Sequence, residues 1–491
     1  MAVIIPIRGL RYNMRKVDNM ADVVTPPYDV IDAAAQDRFY RRHPCNIIRL
    51  EYGKIDPEDS EINNRYTRAA NDYSDWLKEN VLAREPKPAI YLYEQEFKAG
   101  GANKIRSGII CGVRLEPYEK GIVLPHEETI PKHKADRLEL MRACGANFSP
   151  VFSLYSDQDN GVVETLKGSL LGAPPDISFT DDSGESHRMW VVTDADAIGK
   201  VQRIMKDKRI FIADGHHRYE TALNYKKERE NSGGERDDAA VSAASSCTAT
   251  PGGTISSSTE VEPAYNYVMM TLVNLYDPGL VVLPTHRLIK NVESLDKYCL
   301  LDQIKDNFTV EEFQLEPDKG NFRQLLGVLE RRGLGEQSGG DVKALETAGA
   351  AAQEKPGNTG KAHRHAFGLY AGDNKFYLLT LKDDIDLSQM MPEEKSPAWQ
   401  RLDVSILHTL IMEKHLGICG ELRAKADHIT YTREEEGALA AVDRGEYQLV
   451  FFLNPTLVEE VTEVAGQGEK MPQKSTFFYP KLITGLVINQ L

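Results

Sequence analysis

Two β-rich runs on either side of a Gly-Gly pair constrain the fold of this chain more than any other feature. The runs are residues 90–97 and 105–115, and the pair is Gly100-Gly101. A glycine pair between two such runs is typical of an antiparallel hairpin. A second hairpin is predicted from residues 177–180 and 189–192, while the remaining strands are too irregularly spaced for a doubly wound sheet. The pattern therefore predicts an α+β fold with mixed sheets.

The length and net charge of the chain limit the kinds of function that it can have. The chain has 491 residues, of which 41% are hydrophobic, so it is long enough for two or three domains with real cores. Lys and Arg number 59 and Asp and Glu number 74, which gives a formal net charge of −15. A surface this acidic repels a phosphate polyanion, so no nucleic-acid partner is expected.

Cysteine usage and hydropathy indicate the compartment. The six cysteines show no C-x-x-C spacing, which excludes a zinc ribbon and favours reduced thiols. No segment approaches the ~20 consecutive apolar residues that a membrane helix needs. We therefore expect a cytoplasmic protein without a membrane partner, and the oligomeric state stays open.

Two loose stretches divide the chain. Residues 231–264 are rich in Ser, Thr, Gly and Ala with almost nothing to bury, and predict a flexible low-complexity insertion. They separate an N-terminal α+β region, residues 1–230, from a C-terminal α/β region, residues 265–491. A second loose loop is predicted at about 335–363.

The most informative stretch follows a predicted buried strand at residues 209–213. It reads Asp214-Gly215-His216-His217-Arg218 and leads into a predicted helix at residues 218–230. Gly215 permits close approach of a ligand to the backbone, Arg218 offers a bidentate fork, and a helix N-terminus favours anions. Asp214 could orient a histidine, accept a proton or hold a magnesium ion. The alternative is a simple helix cap with surface histidines.

A second candidate is the pair His126-Glu127, followed by several basic residues that include Arg137. A Glu beside a His on a loop can act as general base for a hydroxyl nucleophile. The alternative is a solvated charged loop before a helix. A zinc site is rejected because no third ligand has suitable spacing.

Two further polar clusters are candidate anion contacts. His286-Arg287 follows a short apolar run, and Lys474-Ser475-Thr476 precedes Phe477. The second cluster does not match G-x-x-x-x-G-K-[ST], which excludes a Walker-type ATPase. Structural turn chemistry remains an equal alternative for both clusters.

Six motifs together resemble those of one prokaryotic family, the domain of unknown function 1015 family. They are Arg11-Tyr12-Asn13, Thr25-Pro26-Pro27-Tyr28-Asp29-Val30-Ile31, His126-Glu127 with Asp136-Arg137, Ile212-Ala213-Asp214-Gly215-His216-His217-Arg218-Tyr219, Leu283-Pro284-Thr285-His286-Arg287 and Met471-Pro472-Gln473-Lys474-Ser475-Thr476. The resemblance covers nearly the whole chain apart from the two loose stretches.

The Asp-Gly-His-His-Arg element also resembles the nucleotide-binding box of the ParB/sulfiredoxin superfamily. Free-serine kinases of that superfamily pair this box with an upstream His-Glu or Thr-Glu loop. The resemblance implies a ParB/sulfiredoxin-like catalytic core at about residues 85–230 and a second α/β lobe. It also implies reversible phosphoryl transfer from pyrophosphate to free L-serine, which gives O-phospho-L-serine and phosphate.

The same resemblance implies roles for individual residues. Glu127 would deprotonate the serine hydroxyl, and Asp214 would position the nucleophile or hold magnesium. His216, His217 and Arg218 would hold the transferred phosphoryl group. The other expected phosphate or substrate contacts are His126, Arg137, Gly215, His286, Arg287, Lys474, Ser475 and Thr476. The expected cofactors are magnesium and pyrophosphate, the latter as phosphoryl donor.

Alternative interpretations of the function predict different binding and catalytic behaviour. An ATP- or ADP-dependent serine kinase, or a phosphoserine phosphatase, would use the same loops with another donor or acceptor. A ParB-like binding or regulatory protein would contact DNA and predicts a basic face, which the charge of −15 counts against. A non-catalytic sensor of a phosphorylated metabolite would bind but not turn over.

Overall fold

The computed structural model describes residues 1–127, 131–232, 262–335, 364–425 and 427–491. Most of the insertion predicted at 231–264 and of the loop predicted at about 335–363 lies outside the described residues. None of the helices in these described ranges combines the length and apolar composition that a membrane crossing requires.

The described strands and helices alternate irregularly along the chain. The strands are β1 (Ile4–Ile5), β2 (Leu10–Tyr12), β3 (Leu82–Arg84), β4 (Ile90–Ala99), β5 (Ala102–Arg114), β6 (Val123–Leu124), β7 (Ala146–Asn147), β8 (Val151–Tyr155), β9 (Ile177–Thr180), β10 (Ser186–Val192), β11 (Ile210–Asp214), β12 (Tyr267–Asn274), β13 (Val281–Leu283), β14 (His286–Ile289), β15 (Phe308–Gln314), β16 (Ala366–Tyr370), β17 (Lys375–Leu381), β18 (Ile429–Thr432), β19 (Leu449–Leu453), β20 (Phe477–Tyr479) and β21 (Asn489–Gln490). The helices are α1 (Ala33–Arg42), α2 (Ile48–Glu51), α3 (Arg65–Lys78), α4 (Pro131–Cys144), α5 (Gly161–Leu170), α6 (Ala195–Met205), α7 (His216–Asn231), α8 (Lys297–Ile304), α9 (Phe322–Gly333), α10 (Leu387–Met390), α11 (Pro397–Gln400), α12 (Asp403–Ile406), α13 (Lys414–Leu416), α14 (Gly420–Lys425), α15 (Glu435–Asp443) and α16 (Val458–Gly466), with a π-helix at Leu407–Glu413.

The chain forms two compact units whose limits differ from the predicted ones. Unit 1 contains Met1–Val281 and Phe478–Leu491, and unit 2 contains Val282–Phe477. Residues 265–281, assigned from the sequence to the C-terminal region, belong to unit 1 because β12 pairs with β5 and β8 there. The C-terminal residues return to unit 1 because β21 pairs with β7.

A nine-stranded sheet forms the centre of unit 1, in the order β6-β11-β8-β12-β5-β4-β10-β9 with β1 beside β5. Both predicted hairpins, β4 with β5 and β9 with β10, are antiparallel pairs of this sheet. The β6–β11 and β8–β12 pairs are parallel. The prediction of an α+β fold with mixed sheets is therefore confirmed.

Amphipathic helices cover this sheet, and α6 illustrates why. Its N-cap Asp194 accepts a hydrogen bond from the backbone N–H of Ala197. Its buried residues Ile198, Val201 and Met205 recur at helical spacing. These side chains pack in one core with residues of the sheet, so burial of this face holds the helix in place.

The junction between β11 and α7 places the first candidate motif. All residues of β11 except its last, Asp214, are buried. Gly215 then turns the chain with φ of 91°, and α7 begins at His216. β11 runs parallel to β6, so the carboxyl ends of the two strands point the same way. The loop that follows β6 and carries His126 therefore lies at the same end of the strands as this turn.

Unit 2 contains a six-stranded sheet in the order β15-β17-β16-β19-β14-β18. Every pair in this sheet is antiparallel. Alternate residues of β16 and β19 enter two separate hydrophobic clusters, so both faces of the sheet are covered. The lobe predicted as α/β thus has helices on an antiparallel sheet.

Candidate active site

Two loops of unit 1 that lie far apart in sequence meet through a pair of histidines. The backbone N–H of His126 donates to Nε2 of His216 at 3.3 Å, and the two rings lie edge to face at 4.7 Å. Nδ1 of His126 lies 2.5 Å from the carbonyl oxygen of Ile212, an acceptor that fixes the proton on Nδ1. Burial lowers the pKa of His126 and so favours its neutral form.

Glu127 follows His126 directly, so the same contact limits its distance from α7. Standard backbone lengths place the Glu127 Cα within about 9 Å of Nε2 of His216, because His126 N lies 3.3 Å from that atom. Glu127 is half-buried. Its backbone is therefore close to residues 214–218, called below the 214–218 turn.

Asp214 lies between two cations at the end of β11. Its Oδ2 is 3.4 Å from the Lys481 ammonium nitrogen and 3.4 Å from Nη2 of Arg218. Burial raises the pKa of Asp214, but the charges of Lys481 and Arg218 outweigh this effect and hold the pKa well below the ordinary carboxyl value. Asp214 is thus a permanently ionised carboxylate near neutral pH.

Gly215 allows the Arg218 guanidinium to lie against the turn. A Cβ at position 215 would meet Nε and Nη2 of Arg218 at 2.9 Å, and the φ of +91° also disfavours a side chain. Nη1 of Arg218 donates to the carbonyl oxygen of Pro150 at 2.5 Å. Arg218 therefore holds Asp214 and the neighbouring backbone together, and the predicted phosphoryl contact through Arg218 stays a prediction.

The start of α7 presents the remaining predicted groups. Gly215, the N-cap residue, has no side chain with which to cap the helix, so its first N–H groups depend on other partners. His216 is buried and His217 is half-buried. Backbone N–H groups and two imidazoles at a helix N-terminus make a suitable cradle for an anion.

Arg137 is buried among acceptors and has its charge neutralised. Its Nη2 donates to Asp136 Oδ2 at 2.6 Å, and its Nη1 donates to the Glu51 carbonyl oxygen at 2.8 Å. Its guanidinium lies 4.2 Å from the centre of the Tyr28 ring. This set of contacts describes a structural cation, and the predicted phosphate contact through Arg137 stays a prediction.

Arg137 and Arg218 line a common cavity of about 30 Å³, together with Glu51 and Ser149. A space of this size holds a water molecule. Tyr28, in the Thr25-Pro26-Pro27-Tyr28-Asp29 motif, is also influenced by both cations. Burial raises the pKa of Tyr28 to about 12, and the charges of Arg137 and Arg218 act to lower it. Tyr28 of the N-terminal motif is therefore close enough to both arginines to interact with their charges.

The other predicted anion contacts lie in unit 2. His286 is buried on β14, where its Nδ1 accepts from the backbone N–H of Leu453 at 3.3 Å and its Nε2 is 3.8 Å from Glu435 Oε1. Arg287 is also buried, and its Nη2 donates to the carbonyl oxygen of Lys474 at 3.0 Å. The structure thus brings Arg287 and the Lys474-Ser475-Thr476 segment together.

This segment is held by its own backbone. The Ser475 hydroxyl donates to the Pro472 carbonyl oxygen at 2.5 Å, and the Ser475 carbonyl oxygen accepts from the Thr456 hydroxyl at 2.7 Å. Lys474 has a positive φ of 59°. These bonds fit the turn alternative for Ser475, while anion binding by Lys474 and Thr476 stays a prediction.

Lys481 is a site residue that the sequence did not reveal. It follows Tyr479-Pro480 near the end of the chain and carries no motif of its own. Its segment packs into unit 1 through Phe478, whose ring lies 6.1 Å from that of His126, and through a hydrogen bond from Gln95 to the Lys481 carbonyl oxygen at 3.1 Å. Only the fold brings this cation to Asp214.

The surroundings of Asp214 do not fit a magnesium ion bound directly to its carboxylate. Mg²⁺ requires a near-octahedral set of oxygen ligands. Here an ammonium and a guanidinium both lie 3.4 Å from Oδ2, and they repel a third positive charge. No step is therefore assigned to a metal at this residue.

Several solved structures align weakly with most of the chain. A conserved hypothetical protein from Pyrococcus furiosus is 14% identical with a TM-score of 0.30, over 78% of this chain and 95% of that one. A free serine kinase in complex with AMP is 12% identical with a TM-score of 0.32, over 77% and 92%. C-terminally truncated SbnI from Staphylococcus aureus is 10% identical with a TM-score of 0.30, over 78% and 87%. Such low values assign no activity.

Sequence comparison gives a family. No curated protein matches the chain. A family model described as "Protein of unknown function (DUF1015)" matches residues 4–405, which confirms the resemblance seen in the motifs. Since the match spans most of the 491 residues, the chain belongs to the DUF1015 family.

Proposed function

We propose that the protein is a phosphotransferase that transfers a phosphoryl group between pyrophosphate and the hydroxyl of free L-serine. One observation carries the proposal: the contact between His126 and His216 brings the carboxylate-bearing loop beside the 214–218 turn. Phosphoryl transfer requires mainly positioning and charge stabilisation, with a carboxylate to take the hydroxyl proton. The loop that follows β6 supplies a carboxylate, and the 214–218 turn supplies groups that can position and stabilise a phosphoryl group.

The pair of Asp214 and Lys481 suits an amino acid as acceptor. Free serine carries an ammonium and a carboxylate, and the site offers a fixed carboxylate and a fixed ammonium 3.4 Å apart. Asp214 would bind the serine ammonium and Lys481 the serine carboxylate. Each contact replaces one half of the existing ion pair, so no buried charge is left without a partner.

The low pKa of Asp214 favours Glu127 over Asp214 as the base. A group whose pKa lies well below the ordinary value is a weak proton acceptor near neutral pH. Glu127 is therefore assigned the removal of the serine hydroxyl proton. The N-terminus of α7, with His216 and His217, is assigned the transferred phosphoryl group.

The test is an assay with several donors. Purified protein is incubated with L-serine, magnesium and either pyrophosphate, ATP or ADP, and phosphoserine is followed by phosphorus NMR. Formation of phosphoserine with pyrophosphate but not with ATP or ADP supports the proposal. Formation of phosphoserine only with ATP or ADP would show that the nucleotide, and not pyrophosphate, is the donor. Phosphate release from phosphoserine without an acceptor indicates a phosphatase, and inactivity with every donor refutes the proposal.

A single substitution tests the base. Glu127→Gln removes the proton acceptor and keeps the size of the side chain, so turnover should fall by about 10²- to 10⁴-fold. The KM for pyrophosphate should stay within about threefold, because the anion cradle is unchanged. Glu119→Gln, at an exposed residue of unit 1, is the matched control. Equal activity of the two variants would contradict the assignment.

A further inference from the structure

A second cluster of chemically reactive groups lies in unit 1, at the turn between β9 and β10. Asp181, Glu185 and His187 each offer one ligand atom, and these atoms all lie within 4.8 Å of one another. His187 is 1% exposed and Glu185 is 8% exposed. The three residues come from one hairpin, so the turn itself fixes their relative positions.

The charges in this cluster are unbalanced. Asp181 Oδ2 lies 3.3 Å from Nε2 of His187, but within the described ranges no Lys, Arg or His nitrogen lies within 4 Å of a Glu185 oxygen. The buried Arg106 acts on Glu185 only from beyond that distance, and the Tyr479 hydroxyl supplies a neutral hydrogen bond. A carboxylate buried to this degree beside a second carboxylate is neutralised either by a proton or by a bound cation.

His187 is oriented as metal-binding histidines are. Its Nδ1 lies 2.7 Å from the hydroxyl of Tyr93, and its ring stacks on Phe179 with centroids 4.8 Å apart. A metal-ligating imidazole nearly always uses its second nitrogen in a hydrogen bond of this kind. Nε2 of His187 faces Asp181 Oδ2 at 3.3 Å. With an ion bound, the imidazole proton would sit on Nδ1 and be donated to the Tyr93 hydroxyl oxygen, which would leave the Nε2 lone pair for the ion.

We propose that Asp181, Glu185 and His187 bind one divalent transition-metal ion of the Mn²⁺ class. One imidazole and two carboxylates suit Mn²⁺ or Fe²⁺ better than Mg²⁺, which prefers oxygen ligands alone. Three protein ligands leave coordination positions for water. The proposal does not depend on the serine phosphotransferase activity, since metal binding is measured directly.

The site is joined to the candidate active site by a short stretch of chain. Tyr479, which bonds to Glu185, is two residues before Lys481, which pairs with Asp214. Arg106 donates to the intervening Pro480 carbonyl oxygen at 2.7 Å. An ion bound by Glu185 would therefore also steady the segment that carries Lys481.

The test is a Mn²⁺ titration of the full chain after treatment with a chelator, with free Mn²⁺ read from its electron paramagnetic resonance signal. We expect one Mn²⁺ bound per chain and a nitrogen coupling from His187 in the pulsed spectrum. Glu185→Gln and His187→Gln should weaken binding by at least about tenfold. Asp182→Asn, at an exposed carboxylate in the same turn, should bind as the wild type does.

Tyr93→Phe keeps all three ligands and removes only the partner of Nδ1, so it tests the site even if a ligand variant fails to fold. Its binding should weaken by about 10- to 100-fold. The proposal is overturned if the wild-type chain binds no Mn²⁺. It is also overturned if bound Mn²⁺ lacks the nitrogen coupling, or if folded Glu185→Gln and Tyr93→Phe chains bind as tightly as the wild type.

Discussion

The Lys481 ammonium nitrogen lies 3.4 Å from Oδ2 of Asp214, and this ion pair joins the C-terminal segment of unit 1 to the end of β11. Both side chains are mostly buried, with 15% and 21% of their surface exposed. An ion pair with so little solvent contact is expected to matter for both stability and binding.

Lys481→Met should lower the free energy of unfolding by about 1–3 kcal/mol, because Asp214 keeps Arg218 but loses its second cation. Chemical denaturation measures the change, and Lys98→Met at an exposed position of β4 is the control. In a double-mutant cycle with Asp214→Asn, we expect a coupling energy of about 0.5–3 kcal/mol. Additive effects would show that the two groups do not interact.

Gly215→Ala should be more harmful than a glycine replacement elsewhere with a similar φ. The new Cβ would lie 2.9 Å from two nitrogens of Arg218 and must displace the guanidinium, in addition to the cost of a positive φ. Gly172→Ala carries only the second cost, since φ is +78° and no atom lies within 4 Å. We expect about 1–3 kcal/mol of destabilisation at Gly215 and about 1 kcal/mol at Gly172.

The comparison is made by thermal or chemical unfolding of both variants. Lower phosphotransfer by Gly215→Ala than by Gly172→Ala would follow from the displaced Arg218. Equal losses of stability would mean that the contact between position 215 and Arg218 has no energetic weight.

Arg137→Met should destabilise the protein by about 3–5 kcal/mol, because it leaves the buried Glu51 carboxylate without its cation and removes one of the two arginines that pair with Asp136. Arg142→Met is a matched control on the same helix. Arg142 also pairs with two carboxylates, but 43% of its side chain is exposed, so the cost should be at most about 1 kcal/mol. Urea unfolding of the two variants gives the comparison, and similar costs would contradict a structural role for Arg137.

Glu460 should make the stability of unit 2 depend on pH. Burial raises its pKa to about 7, from an ordinary value near 4.5, so the folded state binds more protons than the unfolded state between these values. The free energy of unfolding therefore falls as pH rises from about 4.5 to 7. Glu460→Gln keeps an oxygen acceptor for the Leu457 backbone N–H, which lies 2.8 Å away.

We expect Glu460→Gln to match the wild type near pH 4 and to be more stable by about 1–3 kcal/mol near pH 8. Denaturant unfolding across this range measures the difference. Glu459→Gln, at the exposed neighbouring residue, should show no such trend. A constant difference between Glu460→Gln and the wild type at all pH values would rule out the titration of Glu460 as its cause.

Local patterns predicted the parts of the fold that depend on neighbouring residues. The Gly100-Gly101 pair marked the hairpin between β4 and β5, and the apolar run before Asp214 marked the strand that leads into α7. Turn residues and side-chain periodicity act over a few positions, so the sequence displays them directly. The proximity of the His126-Glu127 loop to the 214–218 turn came from the family resemblance.

Relationships across long sequence separations could not be predicted in this way. The sequence presents Arg137 as one of several basic residues available to an anion, but in the fold Glu51 lies beside Arg137 and neutralises its charge. Lys481 has no motif, and its pairing with Asp214 depends on the return of the chain to unit 1. Neither partner choice is encoded in the periodicity of the segment concerned.

The return of residues 478–491 to unit 1 also sets an order of events during synthesis. A ribosome makes all of unit 2 before it reaches Phe478, and nascent domains tend to fold as their residues emerge. The earlier part of unit 1 must therefore wait for its last segment while translation continues. A chain released before residue 481 would lack Lys481, so Asp214 acquires its second cation only after the C-terminal segment of unit 1 has been made.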